Sequence, residues 1–139
     1  MDEFSGNYLF DPLQIEKDEW TQYPGEIFVF GGSLKITPRH MLKLGVTCLN
    51  GGVWNDKQIN SADWVEKSST RYGNNTGIKI PIEDSGKNDY GYTWWISELD
   101  HKGRKTKMFR ANSWGGQAIM VFPEPDMVVV FTGGNYGGQ

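Results

Sequence analysis

A single cysteine, Cys48, is the whole thiol inventory of these 139 residues, which excludes an internal disulfide and any cysteine-rich metal site. It leaves the compartment open. No apolar run is long enough to cross a bilayer as a helix. Met1 to Phe10 lack the basic start and apolar stretch of a signal peptide. Lysine and arginine number 14 against 17 acidic residues, and they form no basic block or stripe. With a net charge of -3, nucleic acid is excluded as an expected partner. Histidine is scarce. His40 and His101 have no partner His or Cys at ligand spacing, so both read as solvated residues and no metal is expected. No cofactor motif is present either. Gly133-Gly134-Asn135-Tyr136-Gly137-Gly138 is not a phosphate loop, because no Lys followed by Ser or Thr comes after it.

What is abundant is aromatic. Six Trp and seven Phe supply large side chains, each worth roughly 1.5–3 kcal/mol or more if buried, enough for one domain or part of one. Phe4 to Leu13 is partly helical in spacing, and Pro12 should end that helix near Phe10. Glu26 to Phe30 alternates and reads as a short strand or extended loop. The clearest helix follows. Thr37 is a good N-cap and Pro38 suits the first helical position. Met41, Leu42, Gly45, Val46, Cys48 and Leu49 recur at helical spacing, and Asn50-Gly51-Gly52 supplies a left-handed stop. Val53-Trp54 and Gln58-Ile59 flank Asn55-Asp56-Lys57 as a small hairpin, and Ser61 caps a second helix through Val65.

Arg71 to Asn88 is rich in Gly, Asn and Ser and reads as a long surface loop. The last third reads as sheet. Tyr90 to Ile96 is aromatic and β-prone. Glu98 to Arg104 should turn the chain, and Lys105 to Arg110 should return it. Ala118 to Phe122 and Met127 to Phe131 are continuous apolar runs, joined by a turn at Pro123-Glu124-Pro125-Asp126. Unbroken apolar strands imply burial on both faces. The expected class is α+β, an antiparallel sheet flanked by helices as a partial α/β/α sandwich.

The order of these parts resembles a known family. Phe30-Gly31-Gly32-Ser33-Leu34-Lys35-Ile36-Thr37-Pro38-Arg39-His40-Met41 resembles the glycine-rich entry to a helix in serine hydrolases of the class C β-lactamase type. Leu49 to Ile59, Ser61 to Val65, Tyr90 to Trp95, Ser113 to Gln117 and Pro123 to Tyr136 are similar to its later segments in sequence order. The resemblance covers nearly the whole chain. It implies that residues 1–139 are the carboxy-terminal part of a serine β-lactamase-fold domain. The family includes β-lactamases, penicillin-binding peptidases, esterases and amide-dimer hydrolases. Trp-Gly-Gly in place of Lys-Thr-Gly is more like the esterase and amidase branches. The parent family is often exported.

The resemblance implies an acyl-enzyme made by the Ser of a Ser-x-x-Lys motif, assisted by the Tyr of Tyr-x-Asn. Ser5, Ser33, Ser61, Ser68, Ser69, Ser85, Ser97 and Ser113 all lack a Lys three positions on, and there is no Gly-x-Ser-x-Gly elbow. No catalytic nucleophile is therefore expected within the chain, which should be inactive alone. Tyr72-Gly73-Asn74 matches Tyr-x-Asn literally, but in the family that motif precedes the segment resembled by Phe10 to Leu13, so chance is the better reading. The motif that remains is Trp114-Gly115-Gly116. In the family it borders the substrate, an acyl compound, and the next backbone N–H is an oxyanion-hole donor, which maps onto Gln117. The alternative for Trp114, Gly115, Gly116 and Gln117 is a glycine bend in a core strand. Trp94 and Trp95 are candidate cleft-lining residues. On a strand they point to opposite faces, so at most one serves. A non-catalytic binding module remains the alternative function, and an open apolar sheet would favour self-association.

Overall fold

The structure, a computed structural model, describes residues 2–16, 19–24, 27–28, 34–73, 89–113, 115–134 and 136. The chain opens with α1 (Asp2–Ser5), which widens into a π-type turn over Gly6–Phe10, closed by the Asp11 amide on the Gly6 carbonyl at 2.9 Å. Asp11 keeps helical backbone, φ -62° and ψ -49°, although Pro12 follows it, and the chain turns over residues 11–14. Phe10, Leu13 and Ile15 are buried there. They form a first core with Trp20, Leu34, Trp54 and Ile59.

Four two-residue strands follow, β1 (Glu19–Trp20), β2 (Gln22–Tyr23), β3 (Ile27–Phe28) and β4 (Leu34–Lys35). β1 pairs with β4 and β2 with β3, both antiparallel. The strand expected in Glu26 to Phe30 is realised at Ile27–Phe28. The rest of that stretch, with Gly31-Gly32-Ser33 of the resemblance, lies outside the described residues.

Helix α2 (Pro38–Leu49) begins as its sequence dictates. The Thr37 hydroxyl accepts from the His40 amide at 3.3 Å, and Pro38 occupies the first turn, where no amide hydrogen is needed. The helix stops at Asn50, and Gly51 and Gly52 take φ of 62° and 88°. β5 (Val53–Trp54) and β6 (Lys57–Gln58) form a hairpin around Asn55 and Asp56, both left-handed. Helix α3 (Ala62–Ser68) starts where the Ser61 hydroxyl accepts from the Trp64 amide at 3.1 Å. Most of the expected surface loop, residues 74–88, lies outside the described residues.

The last third is one five-stranded sheet. Its strands are β7 (Asp89–Tyr90), β8 (Trp95–His101), β9 (Arg104–Ser113), β10 (Gln117–Phe122) and β11 (Met127–Phe131), antiparallel and arranged β11-β10-β9-β8-β7. Two expectations need correction. The aromatic run Tyr90 to Ile96 is not one strand. The Gly91 amide donates to the Trp94 carbonyl at 2.9 Å and Thr93 has φ of 66°, so the chain reverses and Tyr90 pairs with Trp95. Nor does Glu98 to Arg104 form a broad turn. β8 and β9 run on to a two-residue turn at Lys102-Gly103, both with positive φ, and the Asp100 carboxylate accepts from the Gly103 amide.

Register and alternation separate the two faces. Ile96, Phe109, Val121 and Val128 lie in one row across the sheet. They pack with Ile119 against Met41, Leu44, Cys48 and Leu49 of α2. Gly45 makes this close approach possible, since a Cβ there would lie 2.5 Å from Val128 Cγ1. On the other face Met108, Ala118 and Phe122 are buried, whereas Met127 and Phe131 at the edge are 42% and 52% exposed. Among the described residues the helical cover of the sheet is α2. The class is α+β, as expected, but the unbroken apolar run of β11 is not buried on both faces, since Met127 and Phe131 are exposed.

Candidate active-site edge

Gly115, Gly116 and Gln117, the described part of the segment singled out by the resemblance, lie at the β9–β10 reversal. Ser113 closes β9 and stands in register with Gln117, which opens β10. Between them Gly115 and Gly116 take φ of 100° and 90°, conformations that L side chains resist. The Gly116 amide donates to the Ser113 carbonyl at 3.3 Å. Trp114 lies outside the described residues, so its packing is not part of this geometry.

The chain after β11 crosses this bend. A Cβ on Gly115 would overlap the Tyr136 ring, and one on Gly133 would overlap the Gly115 carbonyl oxygen. Gly115 is buried under Tyr136, whereas Gly116 is exposed and Gln117 half-buried. The bend is thus covered on one side and open on the other. Gln117 ties the crossing together. Its Nε2 donates to the Gly133 carbonyl at 2.6 Å and to the Tyr136 hydroxyl at 2.8 Å, while its Oε1 is buried and meets no donor among the described residues. Tyr136 and Gly133 were not site candidates from sequence. The available signal was the Gly133-Gly134 pair just beyond a strand, which permits the backbone contact seen here.

The two tryptophans lie on opposite sides of the sheet, although Trp94 belongs to the reversal and only Trp95 to the strand. Trp94 is half-buried on the α2 side and meets Phe109 edge to face, ring centroids 5.1 Å apart at 90°. Trp95 opens β8 opposite Arg110 and packs against Tyr90 at 4.7 Å.

Other reactive groups are committed elsewhere. Ser68 and Ser69 are buried and donate to the Val65 and Glu66 carbonyls at 3.0 and 3.3 Å. Tyr72 is exposed and stacks on Tyr92 with centroids 4.8 Å apart, and its amide donates to the Tyr90 carbonyl. Partial desolvation, then a hydrogen bond with Tyr92, push its phenol pKa up, the wrong direction for a base. Asn74, the third residue of that match, lies outside the described residues. Burial pushes the Cys48 thiol up to about 11. Cys48 should therefore react with a thiol-specific reagent at pH 8 far more slowly in the native chain than in denaturant, because the thiolate is the reactive form. Timed labelling followed by mass spectrometry checks this. No group of three or more His, Cys, Asp or Glu among the described residues is placed to hold a metal.

A hollow of about 460 Å³ lies between the amino-terminal turn and the β5–β6 hairpin, lined by residues including Tyr8, Asp11, Lys57 and Ile59. It shares no lining residue with the bend.

A protein from Bacillus anthracis proposed to be a 6-aminohexanoate-dimer hydrolase superposes with a TM-score of 0.72 over 97% of this chain, at 21% identity. The two share one fold. It is the β-lactamase-like fold. The chain spans about a third of that protein's length, 33%. No family model matches the chain, and no curated protein matches it either.

Proposed function

We propose that this chain is the carboxy-terminal sheet portion of a serine hydrolase that cleaves an ester, amide or β-lactam through an acyl-enzyme. The chain carries the substrate edge, Trp114 to Gln117, and polypeptide outside these residues carries the nucleophile. The observation that carries the reading is the paired left-handed glycines at the β9–β10 reversal, with Gly116 exposed and Gln117 following, within a shared hydrolase fold. Gly116 leaves backbone open to an extended acyl group. The Gln117 N–H is the proposed donor to the developing oxyanion, a role worth roughly 10²–10³ in kcat in complete sites. The Gln117 carboxamide, held by Gly133 and Tyr136, keeps that residue in place.

The test has two parts. The 139-residue chain alone should neither hydrolyse a nitrophenyl ester or chromogenic cephalosporin nor be labelled by a fluorophosphonate. A longer reading frame that supplies Ser-x-x-Lys should do both. In that longer protein Gln117→Pro, which removes the N–H, should lower kcat by about 10²–10³. Gln117→Ala, which keeps it, should lower kcat much less. Serine-dependent turnover by the short chain, or equal effects of the two variants, overturns the proposal. Absence of any in-frame Ser-x-x-Lys favours the second reading, a non-catalytic binding module. The half-covered bend under Tyr136 supports that reading, because it narrows the space at Gly115.

A further inference from the structure

We infer that Tyr72 and Tyr92 form an oxidative cross-linking site, at which a one-electron oxidant joins the two phenols as dityrosine within one chain. Their rings stack with centroids 4.8 Å apart and planes 9° apart, and their hydroxyls share a hydrogen bond. Among the described ring contacts this is the one that joins two tyrosines. Tyr8 meets Phe4, and Tyr90 meets Trp95.

The backbone holds the pair together. The Tyr92 amide donates to the Ser68 carbonyl at 3.0 Å, and the Tyr72 amide to the Tyr90 carbonyl at 3.2 Å. Arg71 Nε lies 3.0 Å from Asp89 Oδ1, which ties the end of α3 to β7. These contacts are internal to the chain, so the pair exists whether or not further polypeptide packs nearby. Trp64 adds a third ring, 5.5 Å from Tyr92. Indole and phenol are, with thiols, the side chains that lose an electron most readily. The one thiol, Cys48, is packed elsewhere, between α2 and the sheet. An oxidation that begins on the indole can therefore pass to the tyrosine pair.

Each phenol gives one electron to the oxidant and its O–H proton to water. The two phenoxyl radicals join through ring carbons adjacent to their oxygens, forming one C–C bond. Each of those carbons then gives its proton to water while a proton returns to each oxygen, which restores both aromatic rings. The sum is two electrons and two protons lost, matched by one hydrogen peroxide reduced to two waters when a peroxidase is the oxidant. Contact in the fold makes the joining step intramolecular. The rings need only tilt out of the stack, which turns side-chain bonds and leaves the backbone bonds in place. The site does not depend on the hydrolase reading.

Treatment of the 139-residue chain with a haem peroxidase and one equivalent of hydrogen peroxide tests it. The expected product is a monomer lighter by two hydrogens, with dityrosine fluorescence. Trypsin should then release residues 72–79 covalently joined to residues 88–102, and fragmentation should place the bond on Tyr92 rather than Tyr90. Tyr72→Phe and Tyr92→Phe each keep a ring in the stack and should abolish the joined peptide, whereas Tyr90→Phe should leave it. In urea, where the stack is lost, the yield from the unsubstituted chain should fall to a small fraction of the native yield. Absence of the joined peptide, cross-linking mainly between chains, a bond to another tyrosine, or an equal yield in urea overturns the inference.

Discussion

Gly52→Ala should destabilise the chain by about 3 kcal/mol or more, combining ~1–2 kcal/mol for a side chain in left-handed backbone with ~1–3 kcal/mol for overlap. Gly52 has φ of 88°, and a Cβ there would overlap the Asn60 carbonyl, which belongs to backbone and cannot swing away. The residue is also a junction. Its amide donates to the Thr47 carbonyl at 2.8 Å, and its carbonyl accepts from the amides of Ile59 and Asn60 at 2.8 and 3.2 Å. One position thus joins the end of α2 to the β5–β6 hairpin. Gly103→Ala is the contrast. Gly103 has φ of 81°, but nothing lies within 4 Å of a Cβ, so only the backbone term of about 1–2 kcal/mol applies. Urea denaturation followed by tryptophan fluorescence should separate the two variants. Equal midpoints would remove the overlap argument.

Phe109→Ala should cost about 3–5 kcal/mol, a large share of the 5–15 kcal/mol typical of a domain. Phe109 is buried at the centre of β9, in the row that joins Ile96 to Val121 and Val128. Its ring also receives Trp94 edge to face. Truncation removes one part of the cluster that packs under α2, whose other members are Ile96, Ile119, Val121 and Val128, and opens a cavity that neighbouring strands cannot close without breaking their ladder. Phe109→Leu, which retains most of the volume, should cost clearly less. Denaturation of both variants checks the order, and near-ultraviolet circular dichroism should report the loss of the Trp94 environment in the alanine variant.

Much of the fold was legible because its signals are local. Thr37-Pro38 and Ser61 mark helix starts through a hydroxyl and a missing amide hydrogen, and the caps form as expected. The apolar runs at Ala118 to Phe122 and Met127 to Phe131 became β10 and β11 with boundaries within one residue. The break inside Tyr90 to Ile96 was not legible, because every residue there but Gly91 favours strand. The reversal depends on a tertiary contact in which Gly91 fits against the Ser68 carbonyl, too close for any Cβ. The helical spacing of Phe4 to Leu13 did not reveal that its second half would widen to a π-type turn.

The site was less legible than the fold. The resemblance singled out Trp114, Gly115, Gly116 and Gln117 as a substrate edge, with a glycine bend as the alternative, and left-handed backbone is there at Gly115 and Gly116. It did not reveal that Tyr136 and Gly133 return to cross that bend, because the contact joins two segments separated by β10, β11 and their turn. The Gln117 carboxamide belongs to the same long-range arrangement.

The sheet has its strands in the same order in space as along the chain, and this bears on how the molecule is made. As synthesis proceeds, each new strand meets a neighbour that has only just emerged, so β7 to β11 can zip together hairpin by hairpin with little loop entropy to overcome. Helix α2 emerges much earlier yet docks on β10 and β11, the last strands to appear. The part of its apolar stripe that meets the sheet therefore forms that contact late, after Leu44 has been able to pack on Phe10, Leu13 and Ile15.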